Sequence, residues 1–137
     1  MAVSAFFDTN VLVYATLGTH PDIVKRRRAL QLIETEDFGT SAQVLQEFFV
    51  AVVRKASDPM PAARALEWIE QWLLFPCQPI DHGIVQVAIE RSQRYKISYW
   101  DGAILAAAEA LGARMVYSED LNDGQRYGRV QVINPFS

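Results

Sequence analysis

The 137-residue sequence predicts an α/β fold in three layers, a central, mainly parallel sheet of about five short strands between helices. Three observations carry this. Short β-branched or aromatic runs alternate with longer helix-period segments along the whole chain. Cap-type residues mark the junctions, with Asp8-Thr9-Asn10, Ser41, Asp81 and Ser98 each preceding a helical pattern. Four acids far apart in sequence, Asp8, Glu47, Asp101 and Asp120, each fall near a strand end or a helix start, the pattern of a site assembled by folding.

The elements follow in order. Val3 to Phe7 is a β-branched and aromatic run that reads as a buried strand, which puts Asp8 at its carboxyl end. A helix follows to about Leu17. Pro21 suits the first turn of a second helix, which ends between Glu34 and Asp37; Ile23, Ala29, Leu30 and Ile33 form its apolar face, interrupted by Lys25 to Arg28. Phe38-Gly39-Thr40 is a minimal second strand. Ser41 caps a helix to about Lys55, with Val44, Leu45, Phe48, Phe49, Val52 and Val53 as its stripe, and Ser57-Asp58-Pro59 ends it.

Pro61 to about Phe75 is the next helix, and Pro76 and Pro79 bracket an extended connection. Asp81 caps a helix to about Tyr95. Ser98 starts a further one, whose apolar stretch Ala103 to Leu111 stops at Gly112. Arg114 to Tyr117 and Val130 to Ile133 are strands, separated by the polar, glycine-containing stretch from Asp120 to Gly128. No internal repeat or linker interrupts the pattern, so one domain over 1–137 is expected.

Composition narrows the function class. Half the residues are hydrophobic and about a fifth are charged, which is too apolar for a disordered chain. The net charge of -3 does not advertise nucleic-acid binding. The lone Cys77 excludes an internal disulfide, and His20 and His82 are too few and too scattered for a zinc cluster. A reducing cytoplasm suits such a chain. No basic region precedes a long apolar stretch, and no segment reaches about 18 apolar residues, so neither export nor membrane insertion is expected.

Two of the four acids, Asp8 and Asp101, directly follow aromatic residues, where an ionised carboxylate is costly to bury without a cation or hydrogen bonds. A hard divalent ion with oxygen preference compensates that cost. Asp8 and Asp120 fall outside strand carboxyl ends, where open sheets of this class place their ligands. Asp101 falls in a first helical turn, where the backbone amides favour a carboxylate. Each has a blander reading. Asp8 also suits a helix cap, Ser98 with Asp101 fits a capping box, and helical periodicity alone makes Glu47 a solvent-facing residue.

The runs Phe-Phe-Asp8-Thr-Asn10-Val-Leu-Val-Tyr, Gln-Glu47-Phe-Phe, Ser98-Tyr-Trp-Asp101-Gly-Ala-Ile-Leu, Tyr117-Ser118-Glu-Asp120-Leu-Asn-Asp-Gly-Gln and Asn134-Pro135-Phe136 resemble the PIN-domain ribonucleases. Any one run is a weak signal, but the ordered set spans essentially the whole chain. The small size is similar to that of VapC-like toxins from type II toxin-antitoxin pairs. The resemblance implies a Mg2+- or Mn2+-dependent endoribonuclease that cuts single-stranded or structured RNA, often tRNA, leaving a 5'-phosphate and a 3'-hydroxyl. It also implies a small antitoxin partner and a homodimer. Carried over by position, Asp8, Glu47, Asp101 and Asp120 match the family's catalytic, metal-holding acids, and Asn10 and Ser118 match polar residues that support them. It is the resemblance that selects Glu47. Gly102 stands where an alanine is common, which loosens helix propensity slightly.

Asp123 is the alternative to Asp120 as the fourth acid, since both lie in one loop with Glu119. Lys25, Arg26, Arg27 and Arg28 read as a solvated helix face, with RNA phosphate contact as the alternative. Trp68, Trp72 and Phe75 at helical spacing read as core or a dimer surface rather than an RNA-stacking platform. Two other functions compete. A Mg2+-dependent phosphatase with an aspartate nucleophile needs a second acid two residues on, where Asn10 stands. A non-catalytic RNA- or protein-binding module has no need of all four acids.

Overall fold

The computed structural model describes residues 2–17 and 22–137. Pro21 and His20 lie outside the described residues. Thirteen elements follow one another: β1 (Ala5–Phe7), α1 (Thr9–Leu17), α2 (Ile23–Thr35), β2 (Phe38–Ser41), α3 (Ala42–Val50), a π-helical turn (Ala51–Lys55), α4 (Ala62–Trp72), β3 (Cys77–Gln78), α5 (His82–Tyr95), α6 (Tyr99–Ala110), β4 (Met115–Tyr117), β5 (Arg126–Tyr127) and β6 (Val130–Ile133). No described helix is long and apolar enough to cross a membrane.

The strands form one six-stranded sheet in the order β3-β2-β1-β4-β6-β5. Every pairing is parallel except β5 with β6. The chain runs outward from β1 through β2 to β3, then crosses to β4 on the other side of β1. The crevice between the carboxyl ends of β1 and β4 is therefore the topological switch point of the sheet. Asp8 continues the register there, its backbone N–H donating to the Tyr117 carbonyl at 3.0 Å.

β1 and β2 are buried at every residue, which is why β1 reads as a continuous apolar run without alternation, whereas β2 is the short Phe-Gly-Thr-Ser segment. Phe7 stacks on Phe38 at 4.2 Å between ring centroids, and Phe38 on Phe75 at 4.3 Å, so an aromatic column ties the sheet to the segment after α4. Trp72 is buried and meets Phe48 edge to face, with Trp68 stacked on its outer side. Of the three aromatics read as core or a dimer surface, Trp72 is core, and Trp68 and Phe75 are half-buried against it.

The caps work as the residue types demand. Ser41 is the last residue of β2 and also caps α3 through the Val44 N–H, so strand and helix join without a loop. Asp81 accepts from Ile84 N–H and Ser98 from Asp101 N–H at the starts of α5 and α6. Gly112 ends α6 with a positive φ of 76°.

Three features depart from the sequence reading. The sheet has six strands rather than about five, because Cys77–Gln78 pairs with β2 and Arg126–Tyr127 pairs with β6. Both are two-residue strands, too short to show a period. The expected single helix from Ser41 to Lys55 changes at Ala51 into a π-helical turn, where the wider ring re-aims the last residues.

The third departure concerns Gly102. A Cβ at this position would lie 2.4 Å from the Ala88 carbonyl oxygen and 3.1 Å from the Ser92 nitrogen, so α5 and α6 cross almost backbone to backbone. Glycine is there for contact rather than as a small propensity defect. Propensity alone makes Gly102→Ala stabilising by up to about 1 kcal/mol. The close approach dictates the opposite sign, a loss of about 2 kcal/mol or more in urea unfolding. A variant as stable as the wild type would contradict this packing.

Candidate active site

Asp8 is the centre of the site. It is only 6 % exposed at the end of β1, with its charge held by two donors: Thr9 N–H to Oδ1 at 2.7 Å and the Ser118 hydroxyl to Oδ2 at 2.7 Å. Ser118 is fully buried at the end of β4, and its Oγ also accepts from the Asp120 N–H at 3.1 Å. One hydroxyl therefore spans the switch point and sets the turn that carries Asp120.

Burial raises the Asp8 carboxyl to about 6. The Ser118 and Thr9 hydrogen bonds oppose that rise, and the charges of Glu47 and Asp120 add to it. Asp101, half-buried in the first turn of α6, is also raised, first by desolvation and then by Asp120 and Glu47, with Ser98 opposing. The four acids thus share one electrostatic neighbourhood, delivered by β1, α3, α6 and the loop after β4.

Only Asp8 among them is fully buried. Glu47 and Asp120 are exposed, and Trp100, next to the half-buried Asp101, is itself 63 % exposed. Glu47 is not at a helix start but well inside α3, on its solvent side, as periodicity indicated. Its carboxylate accepts from Thr9 Oγ1 at 2.8 Å and from Gln43 Nε2 at 3.4 Å. Gln43, one turn earlier on the same face, also donates to the Trp100 carbonyl at 3.2 Å and so links α3 to α6. The sequence reading passed over Thr9 and Gln43, although the i, i+4 spacing of Gln43 and Glu47 signals that pair.

Asn10 stands on α1 with its amide donating to Asp120 Oδ2 at 3.2 Å and its oxygen accepting from Glu119 N–H at 3.4 Å. Asp123 is turned elsewhere, its Oδ1 accepting from the Asn134 N–H at 2.8 Å. Glu119 binds Lys25 Nζ at 2.5 Å and the Tyr14 hydroxyl at 2.6 Å, so this ion pair fixes the base of the Asp120 loop to α1 and α2. Lys25 is thereby committed inside the molecule, and its ammonium is held well above its ordinary pKa, chiefly by the hydrogen bond to Glu119. Arg28 donates to the Pro135 carbonyl and to Gln31. Arg26 is part-buried and Arg27 remains on the surface.

A cleft of about 400 Å3 opens beside these acids, lined by Thr9, Gln46, Glu47, Val50, Ala51, Lys55 and Asp120. Lys55, at the end of the π-helical turn, is the basic residue of the cleft, and the sequence reading missed it. A plain α-helical count gives no signal of the turn that brings it there.

The donor set fits a hard divalent cation in its chemistry: four carboxylates, all oxygen, with mutual repulsion that a cation relieves. Among the described residues, no three His, Cys, Asp or Glu side chains already converge to hold a metal. Glu47 and Asp120 are instead tied to Thr9, Gln43 and Asn10. Both are exposed, so their carboxylates face solvent rather than a packed wall.

The raised Asp8 pKa has a stability consequence. Between the unfolded carboxylate range and about pH 6 the folded state binds the extra proton, so metal-free stability falls as pH rises through that window. The cost at neutral pH is on the order of 2–3 kcal/mol. In EDTA, thermal melting is expected to be higher at pH 5 than at pH 7.5, and Asp8→Asn should be more stable than wild type at pH 7.5. Wild-type melting that rises steadily from pH 5 to 7.5, with no gain in the variant, would refute the assignment.

Comparison with known proteins places this arrangement. No curated protein sequence gives a significant match. Among solved structures, the chain is similar to a toxin-antitoxin complex from Klebsiella pneumoniae (TM-score 0.72, 21% identity, 97% of this chain and 98% of that one). It is also similar to VapC20, a sarcin-ricin loop cleaving toxin from Mycobacterium tuberculosis (0.69, 21%, 93% and 99%). A third likeness is to FitAcB from Neisseria gonorrhoeae (0.65, 21%, 96% and 97%). The PIN domain family model matches residues 5–127, from the first strand to the last residue of β5 and including all four acids, and the chain belongs to that family.

Proposed function

We propose that this chain is a divalent-metal-dependent endoribonuclease, the toxin of a toxin-antitoxin pair, and that it hydrolyses RNA at the cleft beside Asp8. The observation that carries the reading is the buried Asp8 carboxylate, pressed by Glu47 and Asp120 at the switch point of the sheet. Family membership and the toxins with the same fold support it. The sarcin-ricin loop is named for one of those neighbours, which favours structured RNA as the substrate class, and tRNA is the example the family resemblance adds.

Asp8, Glu47, Asp101 and Asp120 would hold Mg2+ or Mn2+. When bound, such a cation supplies Lewis acidity toward phosphate oxygen and lowers the pKa of water. The protein's own residues do the rest. Thr9 N–H and Ser118 fix the Asp8 carboxylate, and Asn10 steers Asp120. Lys55 offers a positive charge to the RNA backbone at the edge of the cleft. Asn10 also weighs against an aspartyl phosphatase, since its amide donates to a carboxylate where that chemistry needs a second acid.

The partner reading follows from the surface. Leu66, Leu73 and Leu74 are exposed on and just after α4, and an apolar groove of Leu45, Phe49, Val50 and Ile69 lies beside them. A small antitoxin and a second copy of the chain are the occupants this reading assigns to that side, in a reducing cytoplasm.

Asp8→Asn and Asp101→Asn should each lower Mg2+-dependent RNA cleavage at least about a hundredfold without lowering the melting temperature. EDTA should abolish wild-type cleavage, and a generic phosphatase substrate should stay intact. If either variant cuts RNA at the wild-type rate in Mg2+, the site is wrongly assigned.

A further inference from the structure

The carboxylate site leaves a question of affinity. Four carboxylates in a chain of net charge -3 repel an RNA backbone, and the basic run at Lys25 to Arg28 is partly spent on Glu119, Gln31 and Pro135. The positive charge is concentrated elsewhere. A cavity of about 410 Å3 between α5, the end of α6 and the β5–β6 turn is lined by Arg91, Arg94, Tyr95, Glu109, Arg114 and Arg129, with two glycines.

The pairing inside this cavity is uneven. Arg91 grips Glu109 through two hydrogen bonds, Nε at 2.8 Å and Nη2 at 2.7 Å, and also contacts Glu90. Glu109 is thereby neutralised. Arg94 shares Glu90. Arg114 and Arg129 are exposed, and neither makes a salt bridge among the described residues. The result is two paired guanidinium groups and two without a salt bridge around one recess, with Gly128 leaving room beside Tyr95. Guanidinium forks arranged in this way recognise phosphate oxygens.

Topology gives the cavity its meaning. Arg114 immediately precedes β4 and Arg129 immediately precedes β6, and these strands are parallel neighbours, with Gln131 N–H bonded to the Arg114 carbonyl. Both arginines therefore stand at the amino edge of the sheet. Asp8, Ser118 and Asp120 stand at the carboxyl edge. Because β4 has only three residues, the two edges are roughly 13 Å apart along it, from Arg114 to Ser118. One folded RNA can span that distance.

We propose that the Arg91, Arg94, Arg114 and Arg129 cavity is a phosphate-binding site that holds the backbone of the same RNA whose scissile bond lies at the carboxylate edge. This rests on the ribonuclease reading for the identity of the RNA. The sheet then works as a polarised platform, its amino edge contributing attraction and its carboxyl edge the chemistry. Free phosphate shares the recognised group, so the test separates the two sources.

The experiment compares wild type, the double variant Arg114→Ala with Arg129→Ala, and Asp101→Asn. Binding of a labelled structured RNA is followed by fluorescence anisotropy in EDTA across a salt series, with cleavage in Mg2+ and melting temperature in parallel. Inorganic phosphate is titrated as a competitor. The double variant should bind RNA about tenfold more weakly, with a log-log salt slope shallower by about 1.4 to 1.8, as expected for two lost phosphate contacts to single- or double-stranded segments. Its melting temperature should not change. Asp101→Asn should bind at least as well as wild type.

Equal affinity and equal slope for the double variant would overturn the proposal. So would a wild type that binds no RNA, or inorganic phosphate that raises the melting temperature of wild type but not of the double variant while leaving RNA affinity unchanged. The ribonuclease reading fails separately: wild type that binds RNA through these arginines and never cuts it would remove the activity and leave the phosphate site standing.

Discussion

The structure is organised around one carboxylate in the wrong solvent. Asp8 lies at the end of one of the two central strands, almost without solvent contact, and among the described residues its charge is balanced by the Thr9 N–H and the Ser118 hydroxyl. Two hydrogen bonds offset part of the desolvation cost, and the raised pKa measures the part left over. The neighbouring elements complete that balance. Ser118 ties β4 to β1 and orients the Asp120 loop, Thr9 reaches to Glu47, and Gln43 joins Glu47 to the start of α6 beside Asp101.

Rigid packing makes this balance reproducible. α6 is buried on nearly every residue from Gly102 to Ala108, and the backbone approach at Gly102 locks it against α5. Asp101 therefore sits on a fixed helix start. Glu47 and Asp120, by contrast, are exposed, Glu47 bonded to Thr9 and Gln43 and Asp120 to Asn10. The site combines two acids on packed elements with two on the surface. Charge is also sorted across the sheet, with acids at the carboxyl edge and unpaired arginines at the amino edge.

Much of this was legible in the sequence because the signals were local. Ser41, Asp81 and Ser98 are caps by chemistry, and the apolar runs at Ala5 to Phe7 and Met115 to Tyr117 are strands buried on both sides. The acids at strand ends follow once the alternation is recognised. Glu47 was different, because periodicity gave only its exposure and the family resemblance gave its role. What stayed hidden was tertiary. Two-residue strands have no period, the π-helical turn that brings Lys55 to the cleft looks like ordinary helix, and Gly102 looks like a weak helix residue until its neighbour is placed. The basic run from Lys25 gave no hint that Glu119 would claim its first member.

The central claim is that Asp8 is a buried anion waiting for a cation, and direct metal binding tests it without any substrate. Mn2+ affinity, measured by electron paramagnetic resonance, should be about tenfold weaker at pH 5 than at pH 7.5, because the Asp8 carboxyl is then mostly protonated and must release its proton to bind. Asp8→Asn should lose the high-affinity site at both pH values. Binding of the same strength at pH 5 and 7.5, retained in Asp8→Asn, would contradict the account.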